Sequence, residues 1–196
     1  LNLKKWFYLF WTTLLTGGIS AVIIGMVLRF TDKDIAVAGL GDISFNFLTM
    51  FLGGLMFGAV SQMAFFAYLT VNYIFKGVFR SYWTLVQVGI IIITLFEAAY
   101  LRILYDQSGD EILSAVTVSV LVLLGALAVT LWKVRLTNKS AFIPTLLWMT
   151  AGTILASIPG LQQHTAVAIL FTLVPIFCCN AWQILQLHRI LNTPKS

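Results

Sequence analysis

The sequence predicts an all-α polytopic membrane protein: six transmembrane helices joined by short loops in a single six-helix domain over residues 1–196, with both termini cytoplasmic. Three observations carry this. First, of 196 residues 60% are hydrophobic and only 10% charged, with a mean hydropathy of +0.95. A soluble domain carries about 25% charged residues, because it cannot hide more than about 70% of its chain surface from water. A chain this apolar would expose large hydrophobic patches in water, which excludes a cytosolic enzyme, a secreted domain and a free nucleic-acid binder. Second, six apolar stretches approach the roughly 20 residues that cross a 30 Å hydrocarbon core. Third, the loop charges separate cleanly by side.

The first stretch, residues 6–28, follows Lys4 and Lys5 and begins in an aromatic belt of Trp6, Phe7 and Trp11. It is too long for a secretory signal and lacks a small-residue cleavage site, so it reads as an anchor. The second, 45–75, is long enough to tilt or to continue past the membrane, and carries Gln62 at mid-depth. The third, 84–101, follows Tyr82 and Trp83, with Gln87 near its inner end and Glu97 in its outer third. The fourth, 112–132, closes on Trp132. The fifth, 141–158, is short. The sixth, 165–187, holds Pro175, which is expected to kink it, and Asn180, with Gln183 and Gln186 continuing toward the rim. Cys178 and Cys179 are adjacent within an apolar run and read as small buried hydrophobes.

Small residues recur every four positions: Gly17, Ala21 and Gly25 on the first helix, Gly54 and Gly58 on the second, Gly152, Ala156 and Gly160 on the fifth. Helices in lipid lack a hydrophobic drive to associate, so close backbone approach at small residues supplies contact. These faces are expected to form the bundle interior, a homodimer face being the alternative.

The charges give the orientation. The N-terminus, the second and fourth loops and the C-terminal tail hold Lys4, Lys5, Lys76, Arg80, Lys133, Arg135, Lys139, Arg189 and Lys195, with no acid. The opposite side holds Arg29, Lys33 and Arg102 with Asp32, Asp34, Asp42, Asp106, Asp110 and Glu111. Nine basic residues against three place the first set, and both termini, in the cytoplasm. The net charge of +5 is therefore topology and gives no argument for nucleic acid.

Two literal motif matches fail on chemistry. Gly39-Leu40-Gly41-Asp42 and Tyr105-Asp106 fit the GxGD and YD patterns of intramembrane aspartyl proteases, whose carboxylates must face each other inside the membrane. Here both fall in polar outer loops and in the wrong order. No HExxH, nucleophile elbow or phosphate loop is present. His164 and His188 lie at opposite ends of the sixth helix and cannot share a metal. No cofactor, metal or catalytic set is expected. The ionisable residue inside a span is Glu97, costly in lipid unless paired or protonated; it reads either as a bundle-facing residue paired with a neighbour such as Arg102, or as a ligand or proton site. Gln62, Gln87 and Asn180 form a second constellation, expected to hydrogen-bond between helices, with a solute-facing groove as the alternative.

The runs Trp11-Thr12-Thr13-Leu14-Leu15-Thr16-Gly17-Gly18 and Ser61-Gln62-Met63-Ala64-Phe65-Phe66-Ala67-Tyr68-Leu69-Thr70, with Leu85-Val86-Gln87 and Tyr100-Leu101-Arg102, resemble the KinB-signalling pathway activation (KbaA) family of Bacillus-type spore formers. The resemblance covers most of the chain and extends to the six-span layout. It implies a non-enzymatic accessory protein of the bacterial cell membrane through which a membrane sensor histidine kinase feeds the sporulation phosphorelay, its partner being that kinase or its membrane regulator. It supplies no catalytic residues. The expected contact surfaces are the faces around Gly54 and Gly58 and the stretch 61–79, and the basic inner loops are expected to attract anionic lipid. The rival class, a small-solute transporter or channel, would need a polar path through Glu97, Gln62 and the amides, and paired repeats with broken helices; no repeat is found, and Pro175 is the break expected.

Overall fold

The computed structural model describes residues 3–31, 40–105 and 111–191, and all regular structure among them is helical. The outer-loop residues Gly39, Asp32, Lys33, Asp34, Asp106 and Asp110 and the tail residue Lys195 lie outside the described residues, as do the side chains of Asp42 and Glu111.

α1 (Leu3–Thr31) and α2 (Leu40–Phe79) run antiparallel. Their contact is made by missing side chains. A Cβ at Gly17 would strike the Gly54 carbonyl oxygen, and one at Gly58 would lie 3.0 Å from Leu14 Cα. Ala21 is fully buried in the same seam, and Gly25 makes room for Met50. At 40 residues α2 is about 60 Å long, twice the hydrocarbon thickness. It ends at Arg80, whose φ of 45° turns the chain back. α3 (Trp83–Tyr105) then returns beside it: Trp83 Nε1 and Gln87 Nε2 donate to Asn72 Oδ1 at 2.8 and 3.2 Å. Along one straight helix residues 72 and 87 would stand about 22 Å apart. α3 buries Trp83, Gln87, Ile91, Thr94, Ala98 and Arg102, three or four residues apart as a single helical stripe requires. α4 (Glu111–Leu136) packs along α3.

The fifth pass differs from the continuous helix expected. It consists of α5 (Phe142–Leu147), a π-helical turn (Trp148–Gly152), α6 (Thr153–Ala156) and α7 (Ile158–Leu161). Pro159 has no N–H with which to continue α6, and the chain turns at Ser157, whose N–H is shared between the carbonyls of Thr153 and Ile154 at 3.0 Å each. The expected common face of Gly152, Ala156 and Gly160 is therefore lost. Gly152 lies against the Trp148 ring of its own pass, Gly160 against Thr172, and Ala156 is partly exposed. α8 (Ala166–Leu191) continues unbroken through Pro175.

Side-chain bonds sort the helix ends into two groups. At one end Lys5 Nζ donates to Ile190 O, Lys133 Nζ to Ile184 O and Tyr68 Oη to Pro144 O. At the other Arg102 Nη1 donates to Leu161 O and Gln163 O, and His164 Nδ1 meets Tyr105 O. The chain thus passes six times between the two ends. Four helical stretches among the described residues are long and apolar enough to cross a membrane: Leu3–Arg29, Asn46–Tyr105, Ala115–Leu136 and Ala166–Ile190. The second contains the reversal at Arg80 and so makes two passes. The fifth pass is divided into pieces too short to stand among them. Large apolar side chains such as Ile23, Met56, Met63, Ile93, Phe96 and Leu124 cover the outside, a surface suited to lipid and unsuited to water.

Candidate functional site: a buried polar seam

The helix hydroxyls are mostly satisfied locally. Thr13, Thr16, Ser20, Thr94 and Thr150 each donate to the carbonyl four residues earlier, as groups facing an apolar medium must. A set of buried polar side chains gathers where α2, α8 and the fifth pass meet. Asn180, fully buried, accepts from Ser61 Oγ at 2.7 Å and donates to Thr153 Oγ1 at 3.0 Å. Its backbone carbonyl receives Trp148 Nε1 at 3.2 Å. One turn further along α8, Gln183 Nε2 donates to Gln62 Oε1 at 2.9 Å. Gln62 and Gln183 are 2% and 0% exposed, and the second pair of amide atoms, Gln62 Nε2 and Gln183 Oε1, has no hydrogen-bond partner among the described residues. Each such atom in a dry core costs about 1–3 kcal/mol unless something meets it.

Of the four polar residues singled out in the sequence, Gln62 and Asn180 enter this seam, though each bonds to a different partner. Gln87 does not join them; it bonds Asn72 at the α2–α3 turn. Glu97 stands apart, partly exposed on α3, with no hydrogen bond or ion pair among the described residues. The suggested pairing with Arg102 is not formed. The Arg102 guanidinium, 2% exposed, turns to the carbonyls that close α7. No group of three metal-ligating side chains occurs among the described residues. Cys179 is buried, with its Sγ 3.5 Å from Thr13 O.

Several members of these networks were not legible in the sequence. Ser61, Asn72 and Thr153 carry no motif, and Lys133 reads as a loop cation, yet it is 5% exposed and ties α4 to α8. One signal was available: Asn180 and Gln183 are three apart, hence on one face of α8, as are Gln62 and Phe65 on α2.

The chain matches a family model, KbaA, described as KinB-signalling pathway activation in sporulation, over residues 17–190. It is similar to the KinB-signaling pathway activation protein of Bacillus subtilis (strain 168), with 28% identity over 185 residues, which is 92% of this chain and 93% of that protein. No solved structure matches it.

Proposed function

The chain belongs to the KbaA family, and from that premise we propose that it is a non-enzymatic integral protein of the bacterial cell membrane, a single six-helix domain that lets a membrane sensor kinase feed the sporulation phosphorelay. The match across 174 residues, from 17 to 190, carries the reading. The bundle's chemistry is compatible with it: Asn180 bonds Ser61 and Thr153, and Gln183 bonds Gln62, between passes. The basic end faces the cytoplasm, and Lys4, Lys5, Arg135 and Lys139 lie against anionic headgroups. The chain acts by binding one state of the kinase, or of its membrane regulator, more tightly than the other, which is the condition for any partner to shift an equilibrium. Gly54 and Gly58 are occupied by α1, so the surface for that contact is the exposed part of 61–79, including Met63, Phe66 and Val71.

The test is deletion of the gene in a spore-forming host, with kinase-dependent sporulation and solute uptake both measured. Loss of sporulation signalling at normal uptake is expected. A solute-uptake defect with intact signalling would overturn the reading in favour of a transporter.

A further inference from the structure

Beyond the Arg80 turn α2 and α3 part, and the fifth pass lies between them as the floor of a groove. The groove encloses about 290 Å³ and is lined by Ala64 and Ala67 of α2, Trp83 and Ile90 of α3, and Ala151 and Leu155 of the floor. Positions 83, 90 and 97 share one flank of α3, since seven residues make almost two full turns. Glu97 therefore continues the flank that Trp83 and Ile90 present to the groove. It is partly exposed, and no donor among the described residues meets its carboxylate. From Trp83 to Glu97 is about 21 Å along the axis, some two-thirds of the hydrocarbon thickness.

Resting on the function proposed above, we propose that this groove receives a transmembrane helix of the partner membrane protein, and that Glu97 meets a basic or hydrogen-bond-donating side chain on that helix. Charge complementarity selects this occupant. A carboxylate within a span is costly until a donor reaches it, and an acyl chain fills an apolar groove without bringing one. A second copy of this chain is poorly equipped to do so, because Arg102 and Lys133 already donate to carbonyls of their own chain. The alanines at 64, 67 and 151 let a partner backbone approach closely.

The experiment uses the full chain in the membranes of a sporulating host, with a photoreactive residue at position 67 and a control at position 124 on the exposed face of α4. Position 67 is expected to give an adduct with the sensor kinase or its regulator, mapped by mass spectrometry to one of that partner's transmembrane segments, and position 124 none. Glu97→Leu should lower the adduct yield by about 3- to 15-fold, the range of one interhelical hydrogen bond, and Glu97→Gln by less. Ala64→Phe should lower both adduct and sporulation signalling while the chain accumulates normally. Adducts with lipid alone or with a second copy overturn the proposal. So does an unchanged adduct in Glu97→Leu and Ala64→Phe chains that accumulate at the wild-type level. The gene deletion separates the two ideas: if it leaves signalling intact the functional reading itself fails, whereas a deletion that loses signalling beside fully active groove variants removes only the groove.

Discussion

Gly53 and Gly54 are neighbours in sequence and opposites in surroundings. A Cβ added at 53 meets nothing within 4 Å, whereas one at 54 would strike the Gly17 carbonyl and come within 2.6 Å of Ala21 Cβ. Gly54→Leu should therefore destabilise the bundle by about 1–3 kcal/mol or more. Gly53→Leu should be neutral or slightly stabilising, since glycine is a poor helix former by about 1 kcal/mol. Thermal unfolding of the detergent-solubilised chain compares the two directly. A second residue-scale case is Arg80, held at φ 45°, where a side chain costs about 1–2 kcal/mol. Arg80→Gly should raise the denaturation midpoint and Arg80→Val lower it; a fall for glycine would contradict the strain. The spacing of the small residues was readable in the sequence. That position 54 is closed and 53 open was not, because it depends on where Gly17 of another helix arrives.

Polar bonds join the elements. Gln62–Gln183 and Ser61–Asn180 both link α2 to α8, and interhelical bonds of this kind average about 0.6 kcal/mol, reaching about 1.7. For the first of these, a double-mutant cycle of Gln62→Leu and Gln183→Leu should give a coupling energy in that range. Each single variant should cost more than the double, because it leaves its partner amide buried and unbonded; additive single losses would show that the pair is not coupled. The helix runs themselves were legible from apolar length, and α1, α3, α4 and α8 lie within a few residues of their expected bounds. The fifth pass was misread as one helix. Pro159 carried no weight in that expectation, which set Gly160 on the same helix face, and the π-helical turn has no sequence signature. It follows from seating Trp148 against Phe65 and Tyr68, at ring separations of 5.1 Å each, with its Nε1 on Asn180 O.

At the scale of the molecule, six passes return the two termini to one end, where Lys5 reaches Ile190. In the proposed orientation that end is cytoplasmic, so single cysteines at Ser81 and Ser140, in a chain lacking Cys178 and Cys179, should react with a membrane-impermeant thiol reagent only after the cell is opened. A cysteine at Gln163 should react from outside. Labelling of all three from one side would contradict the six-pass orientation. The sequence by itself determined that this chain is helical and roughly where its helices lie, and it predicts a lipid setting, because hydropathy and charge act through local composition alone. Only the tertiary structure decided that Asn180 bonds Ser61 and Thr153, that Gln87 bonds Asn72, that Arg102 leaves Glu97 without a mate, and that α2 and α3 part around a groove. Those outcomes depend on the rotation of each helix about its axis, which in an apolar medium is set by packing against neighbours distant in the chain.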